Sequence, residues 1–410
     1  MTDIATLHID SIAGGGRGVG RLEGMAVFVP RTAPDETVEI TLRRHRRFGE
    51  GRLRRILEPS PRRVDPRCHH YTADRCGGCQ LQHVEYDAQL LAKRQIIGDA
   101  LGRIAKRTVT VAAVAPSASP WHYRNKLTLT LRPRGSEWIA GLRPYDAPDE
   151  IFRLTECPIT APEVLDGWKE VMAQAHLLPR AAELRGAVRA RTGNRSFVLH
   201  GGVRWDEGEA FAAACPGFST IHWVDERGRA TVLREPAIGT ALPAFDQVNS
   251  AVAAALQDHV LARVRQGNPS RVIDAYAGRG ATAVALAHEG RDVVAIELDP
   301  AAVRLAREAL GGRGMVVEGR VEEQLAPQLP AAAIVFNPPR TGLDPRVCAT
   351  AEAARPLPER IVYVSCDPGT LARDIGRLPS FRVAHVQPFD MFPQTAHVET
   401  VCELVAEAGA

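Results

Sequence analysis

The chain has 410 residues, 45% of them apolar, and a formal net charge of +3. That length supports two or three domains with ordinary cores and excludes a single small module. No stretch approaches the roughly 18 uncharged apolar residues of a membrane-spanning helix, and the opening MTDIATLHID lacks the basic-then-apolar order of a secretion signal, so a cytoplasmic protein without membrane contacts is expected.

Residues 1–58 read as short strands punctuated by glycine: LHIDSI, GGGRGVGRLEG, MAVFVP, a turn at TAPDE, VEITLRR and GRLRRIL. Alternating β-branched residues with turn signals at this spacing predict a small barrel of the OB kind. Between Thr41 and Arg67 stand ten Arg against three acids, Glu50, Glu58 and Asp65. Such a local excess suits phosphate binding, because each neutralised phosphate releases counterions. The same excess also describes a solvated arginine-rich face.

The Pro-rich run EPSPRRVDPRC ends the barrel, and Cys68, Cys76 and Cys79 follow as C-x7-C-x2-C, with Cys157 78 positions further on. With no export signal, eight cysteines in a chain of this size point to metal ligands, catalytic thiols or packing residues rather than to a disulfide framework. Three close thiols and one distant thiol can bind a tetrahedral zinc or a [4Fe-4S] cluster, and spacing does not choose between them. His69, His70 and His83 also permit a mixed zinc site. Cys215, Cys348 and Cys402 read as packing residues. A helix is expected over Tyr86 to Ile104, followed by a strand-rich section to about Pro236. The expected central domain is 59–236, with the 86–104 helix free to pack on the domain that follows.

From Arg271 the texture changes to strands separated by alanine-rich helices, the pattern of a parallel sheet covered on both faces. Seven strands are expected, at 272–277, 292–298, 314–319, 332–337, 360–366, 382–390 and 398–405. The connection MFPQTAH is too short for a crossover helix, so the last two form an antiparallel hairpin. The inventory is that of an α/β class I, Rossmann-like domain over 237–410.

In such a sheet ligands bind beyond the carboxyl ends of the strands. The first strand runs into Asp274-Ala-Tyr276-Ala-Gly278-Arg-Gly280, whose glycines let the backbone pass close to a ligand. The second ends in Glu297, an acid able to accept both ribose hydroxyls. Position 283 is Ala, so the full dinucleotide pattern is absent and a cofactor with ribose but no pyrophosphate fits better. The fourth strand ends in Asn337-Pro338-Pro339-Arg340, a rigid loop with a fixed polar group. The fifth ends in Ser365-Cys366-Asp367-Pro368. An isolated cysteine is more often a small buried hydrophobe, but strand geometry brings Cys366 to the active rim, and Glu399 opens the reversed last strand on that rim.

This pair suits one reaction. Uracil C5 is a poor nucleophile until something adds to C6; a thiolate at Cys366 can add there, the enolate carbon can take a sulfonium methyl, and Glu399 can remove the C5 proton. The base must be splayed out of its stack to be reached.

The residues resemble the RNA uridine-5 methyltransferases, particularly the 23S ribosomal RNA branch, over essentially the whole chain. Val364-Ser-Cys366-Asp-Pro-Gly-Thr-Leu-Ala-Arg373-Asp374 looks like the family's nucleophile motif, and Asp390-Met-Phe-Pro-Gln-Thr-Ala-His397-Val-Glu399-Thr like its general-base motif. Phe245-Asp-Gln247-Val-Asn249 resembles the segment whose glutamine contacts the methyl donor, and Tyr276 and Glu297 match donor-binding positions. The resemblance implies S-adenosyl-L-methionine held by Gln247, Tyr276, Gly278, Gly280, Glu297 and Asn337, and a [4Fe-4S] cluster on Cys68, Cys76, Cys79 and Cys157. It also implies an RNA-binding TRAM domain over 1–58 and a 23S ribosomal RNA substrate; a monomer is expected. Tyr123-Arg124-Asn125-Lys126 resembles an RNA-facing segment of the family. The chain departs from the pattern at Asn337, where Asp is usual, and at Ala281 and Arg320, where Asn is common. Three other readings compete with it: a transfer RNA uridine-5 methyltransferase, an exocyclic-amine methyltransferase, and a non-catalytic RNA-binding iron-sulfur protein. Arg340 lacks the aromatic face that the second needs, and retained Cys366 and Glu399 speak against the third.

Overall fold

The computed structural model describes residues 3–191, 193–235 and 247–407, so the expected boundary at 236/237 lies outside the described residues. Three sheets organise the chain. The first is a barrel-like six-stranded sheet running from Asp3–His8 to Gly49–Glu58. Alternation along Thr37–Arg44 puts Val38, Ile40 and Leu42 inside with Leu7, Val27 and Val29. Gly20 is required by close packing: a Cβ there would lie 1.9 Å from the carbonyl oxygen of His8.

The barrel is joined to the cysteine segment by Arg31. Its guanidinium stacks 3.4 Å from the Tyr71 ring centre and donates to the carbonyls of Tyr71 and Cys76. Beside it, the fully buried Glu36 is paired with Arg63.

The second sheet is seven-stranded, from Lys126–Arg134 to Ala230–Arg234, and mixed: Asn194–His200 and Thr220–Val224 run parallel, the other pairs antiparallel. Its inward Leu127, Leu129, Leu131, Val188 and Phe197 pack against Val164 and Trp168 of the Pro162–Ala173 helix and Phe211 of the Gly208–Ala214 helix. The reading of this section as strand-rich holds, but both helices went unanticipated.

The third sheet has the expected seven strands. Its spatial order is Met315–Glu318, Asp292–Glu297, Arg271–Ala275, Ala333–Phe336, Arg360–Ser365, Glu399–Ala406 and Phe381–Phe389. The first five are parallel and the last two antiparallel. Strands covered on both faces need apolar residues throughout rather than alternation, and Ala333–Phe336 is buried at every position. The helix expected over 86–104 is observed as Tyr86–Ala100, continued by a wider turn over Leu101–Ala105. Ile97, Leu101, Ala105 and Val111 belong to the same apolar cluster as Ile361, Tyr363 and Leu371, so this helix helps build the core of the third sheet. Among the described residues no helix is long and apolar enough to cross a membrane.

Candidate active site

The glycine loop after Arg271–Ala275 adopts the backbone that its sequence requires. Gly278 and Gly280 have φ of 57° and 76°, and Tyr276 takes a left-handed φ of 61°. The Glu297 carboxylate, on the neighbouring strand end, accepts from the backbone N–H of Gly278 at 2.7 Å and from those of Leu298 and Asp299 at 2.8 and 2.9 Å. Glu297 thus holds the loop as well as facing the rim. A small cavity of about 90 Å³ opens here, lined by Tyr276, Asn337, Ala281, Thr282 and Asp274. Burial pushes the Asp274 carboxyl up to about 7, against the hydrogen bond it accepts from the Ala283 N–H. Tyr276 and Asn337 therefore meet at one cavity, and Gly278 and Glu297 meet beside it.

Gln247 belongs to a segment docked on the second sheet. Its carbonyl accepts from the Asn125 side chain at 3.2 Å, and the Asn125 N–H donates to the carbonyl of Val248 at 2.9 Å. Asn249 caps the Ser250–Arg265 helix. Phe245 and Asp246 lie outside the described residues. Of the departures, Ala281 starts the helix after the glycine loop, and Arg320 stands at the N-cap of Val321–Gln324, 3.6 Å from Glu322.

Cys366 and Glu399 are brought together by strand pairing. Ser365 is the Cα partner of Thr400 in the antiparallel ladder, so the next residue along, Cys366, falls beside Glu399. The Cys366 thiol is raised by burial and by the Glu399 carboxylate, with Arg340 pulling it back. Burial lifts the nearly enclosed Glu399 carboxyl to about 7, again opposed by Arg340. A buried carboxyl near 7 is poised to exchange a proton at neutral pH. Asp367 caps the Pro368–Ile375 helix by accepting from the Thr370 N–H at 2.7 Å, which fixes the turn bearing the thiol.

In the sequence Arg340 signals only the lack of an aromatic face; in the structure its charge bears on both Cys366 and Glu399. The fully buried Asp374 holds its loop, accepting from the Leu343 N–H at 2.8 Å, from Tyr363 Oη at 2.9 Å and from Arg373 and Arg377. Gly342 is required there, with a φ of 77° and a missing Cβ that would meet the Asp374 carboxylate at 2.4 Å. The only sequence signal for this clamp was the Arg373-Asp374 tail of the cysteine motif.

The four cysteines converge. Cys68, Cys76, Cys79 and Cys157 are buried and free, and they line one cavity of about 270 Å³ that also reaches Arg340, Phe392 and His397. Among the described residues no group of three or more His, Cys, Asp or Glu forms a metal-ion site. Neither His70 nor His83 lines the cavity: His70 is bound by Asp74 and Thr155, His83 by Tyr71. Burial raises all four thiols, Cys76 to about 11 and Cys79 to about 12, so ligation would displace protons. Four thiols around one cavity are the donor set that either a tetrahedral zinc or a [4Fe-4S] cluster takes.

A largely parallel sheet with a glycine loop after its first strand, an acid closing the second and a reversed strand inserted before the edge defines a class I, Rossmann-like methyltransferase. The family model described as tRNA (Uracil-5-)-methyltransferase matches residues 323–406. An RNA methyltransferase from Thermosynechococcus vestitus is 32% identical, with 97% of both chains covered. The 23S rRNA (uracil(1939)-C(5))-methyltransferase of Thiobacillus denitrificans is 30% identical over 94% of this chain and 96% of its own, and that of Dechloromonas aromatica 31% over 96% and 98%. The crystal structure of Pyrococcus abyssi tRNA (uracil-54, C5)-methyltransferase with S-adenosyl-L-homocysteine shares the fold at a TM-score of 0.73, with 24% identity over 98% of this chain and 99% of that one. The chain belongs to the RNA uracil-5-methyltransferase family and is an S-adenosylmethionine-dependent enzyme acting on carbon 5 of uracil in RNA.

Proposed function

We propose that this enzyme methylates a uridine of 23S ribosomal RNA, with Cys366 as nucleophile and Glu399 as general base. The thiolate adds to C6, and the electron pair pushed to C5 takes the methyl of S-adenosylmethionine, releasing S-adenosylhomocysteine. Glu399 then accepts the C5 proton, C5=C6 re-forms and the C6–S bond breaks back to the thiolate. The observation that carries this reading is the Ser365–Thr400 register, which sets the thiol beside a carboxyl lifted to about 7. Arg340 stabilises the thiolate and, between steps, the carboxylate. Gln247, Tyr276, Gly278, Gly280, Glu297 and Asn337 would hold the donor around the rim, with Asn337 turned toward the base.

The division of labour follows the three sheets. The 1–58 barrel, of TRAM type, and the second sheet grip RNA, and the third performs the chemistry. Cys68, Cys76, Cys79 and Cys157 would hold a [4Fe-4S] cluster, which would be structural or help hold RNA. The ribosomal target rests on the two ribosomal relatives that match over nearly their whole length; a transfer RNA target is the second reading, favoured by the fold shared with the archaeal enzyme.

Incubation with the methyl donor and 5-fluorouridine-containing transcripts of 23S ribosomal RNA and of transfer RNA tests the assignment. A covalent protein–RNA species is expected with the ribosomal transcript and none with Cys366→Ala; absence of any adduct with the native enzyme overturns the nucleophile. The elimination step, followed in single turnover on ordinary RNA, should rise about tenfold per pH unit below about 7 and level off above it, because the base acts as the carboxylate. In Glu399→Gln it should be slow and independent of pH, and a flat native profile refutes the base. Anaerobically purified protein should be brown, with about four irons per chain, falling sharply in Cys76→Ser; one zinc per chain and no colour would contradict the cluster.

A further inference from the structure

The segment Asp390–Val398 carries the chain from the Phe381–Phe389 strand to Glu399, and beside its local turns it is fixed by hydrogen bonds from far away in sequence. Lys93 and Asp390 form an ion pair in which neither side chain is exposed to solvent (0% each). Lys93 also donates to the carbonyl of Phe392 at 3.0 Å, and Tyr86 Oη donates to the second Asp390 oxygen at 2.7 Å. One turn away, the buried Gln89 and Gln394 exchange hydrogen bonds. Gln89 Nε2 donates to Gln394 Oε1 and the Gln394 N–H to Gln89 Oε1, each at 3.0 Å. The Gln394 carbonyl accepts from the N–H groups of Gln80 and Leu81, and its φ of 68° is held in place by these contacts.

A buried ion pair is a poor way to gain stability, because desolvating two charges offsets their attraction. Its value lies in direction. Lys93 grips the residue where the strand ends and the carbonyl two positions on, so it sets the path by which the chain turns back toward Glu399. The hydrogen bonds that set the turn of Cys366 come from Asp367 at the start of the Pro368–Ile375 helix, not from Lys93 or Gln89.

We propose that Lys93, with the Gln89–Gln394 amide pair, is a positioning device for Glu399 that governs removal of the C5 proton and leaves thiol addition and methyl transfer untouched. This rests on the assignment of Glu399 as base. In the step concerned, the C5–H proton passes to the Glu399 carboxylate, the C–H electron pair becomes the C5=C6 bond, and the C6–S pair departs on the Cys366 sulfur.

Fluorine at C5 cannot leave as a proton does, so a 5-fluorouridine adduct reports addition and methyl transfer alone, whereas turnover on ordinary uridine needs the base as well. The full-length Lys93→Met variant should form the fluorinated adduct at a rate comparable to the native enzyme, turn over uridine about 100-fold more slowly, and accumulate a covalent methylated intermediate on ordinary RNA. Glu399→Gln serves as the reference. If that variant fails to accumulate the intermediate, the base assignment itself fails. If it does accumulate it while Lys93→Met loses adduct formation and turnover in parallel, or loses neither, the positioning proposal is overturned. Should circular dichroism show Lys93→Met unfolded, Gln89→Leu is held to the same pattern.

Discussion

The proposed chemistry depends on one reversed strand. Five parallel strands deliver only their carboxyl ends to the rim where the donor binds. A second reactive residue can approach the thiol from the start of a strand only if that strand runs the other way. Glu399–Ala406, inserted antiparallel between Arg360–Ser365 and the edge strand, meets this requirement, and its register against Ser365 decides which residue faces Cys366. A slip of one position would turn Glu399 to the opposite face and leave Thr400 or Val398 there instead.

Burial and charge then divide the work. Enclosure raises both the thiol and the carboxyl, which leaves the carboxyl near its midpoint at neutral pH and makes each group more basic once ionised. The exposed Arg340 supplies the opposing charge, and Asp374 and Arg373 tie Arg340's loop to the Pro368–Ile375 helix. The loop leading to Glu399 takes its hydrogen bonds instead from the Tyr86–Ala100 helix and the cysteine segment, and that helix shares an apolar cluster with Leu371 of the helix after Cys366, so the two supports adjoin. The cavity shared by the four cysteines, Arg340 and His397 is where those supports meet.

Most of the third sheet was readable in the sequence because doubly covered strands are runs of Val, Ile and Ala that end in polar, functional residues. The seven strands fell where expected to within a residue or two, and Cys366 and Glu399 met as the hairpin argument required. The second sheet was less readable: its alternation is interrupted by the Pro162–Ala173 and Gly208–Ala214 helices, whose partners come from strands distant in sequence. Lys93 left a local trace. Tyr86, Gln89 and Lys93 share spacing with the buried Ile96 and Ile97, which puts polar residues on the apolar face of a helix. Such a stripe shows that something must satisfy those groups, but the partners, Asp390 and Gln394, lie some 300 residues away, and periodicity carries no information about them. Arg340 was missed for a related reason, since an arginine after two prolines reads as a turn until the fold shows what it faces.

The central claim is that methyl transfer and loss of the C5 proton belong to one sequence of events on a cysteine-bound uracil. RNA labelled with tritium at uridine C5 measures this directly. The account predicts one tritium released to water for each methyl group incorporated, and neither in Cys366→Ala. Methyl incorporation with the tritium retained would contradict it.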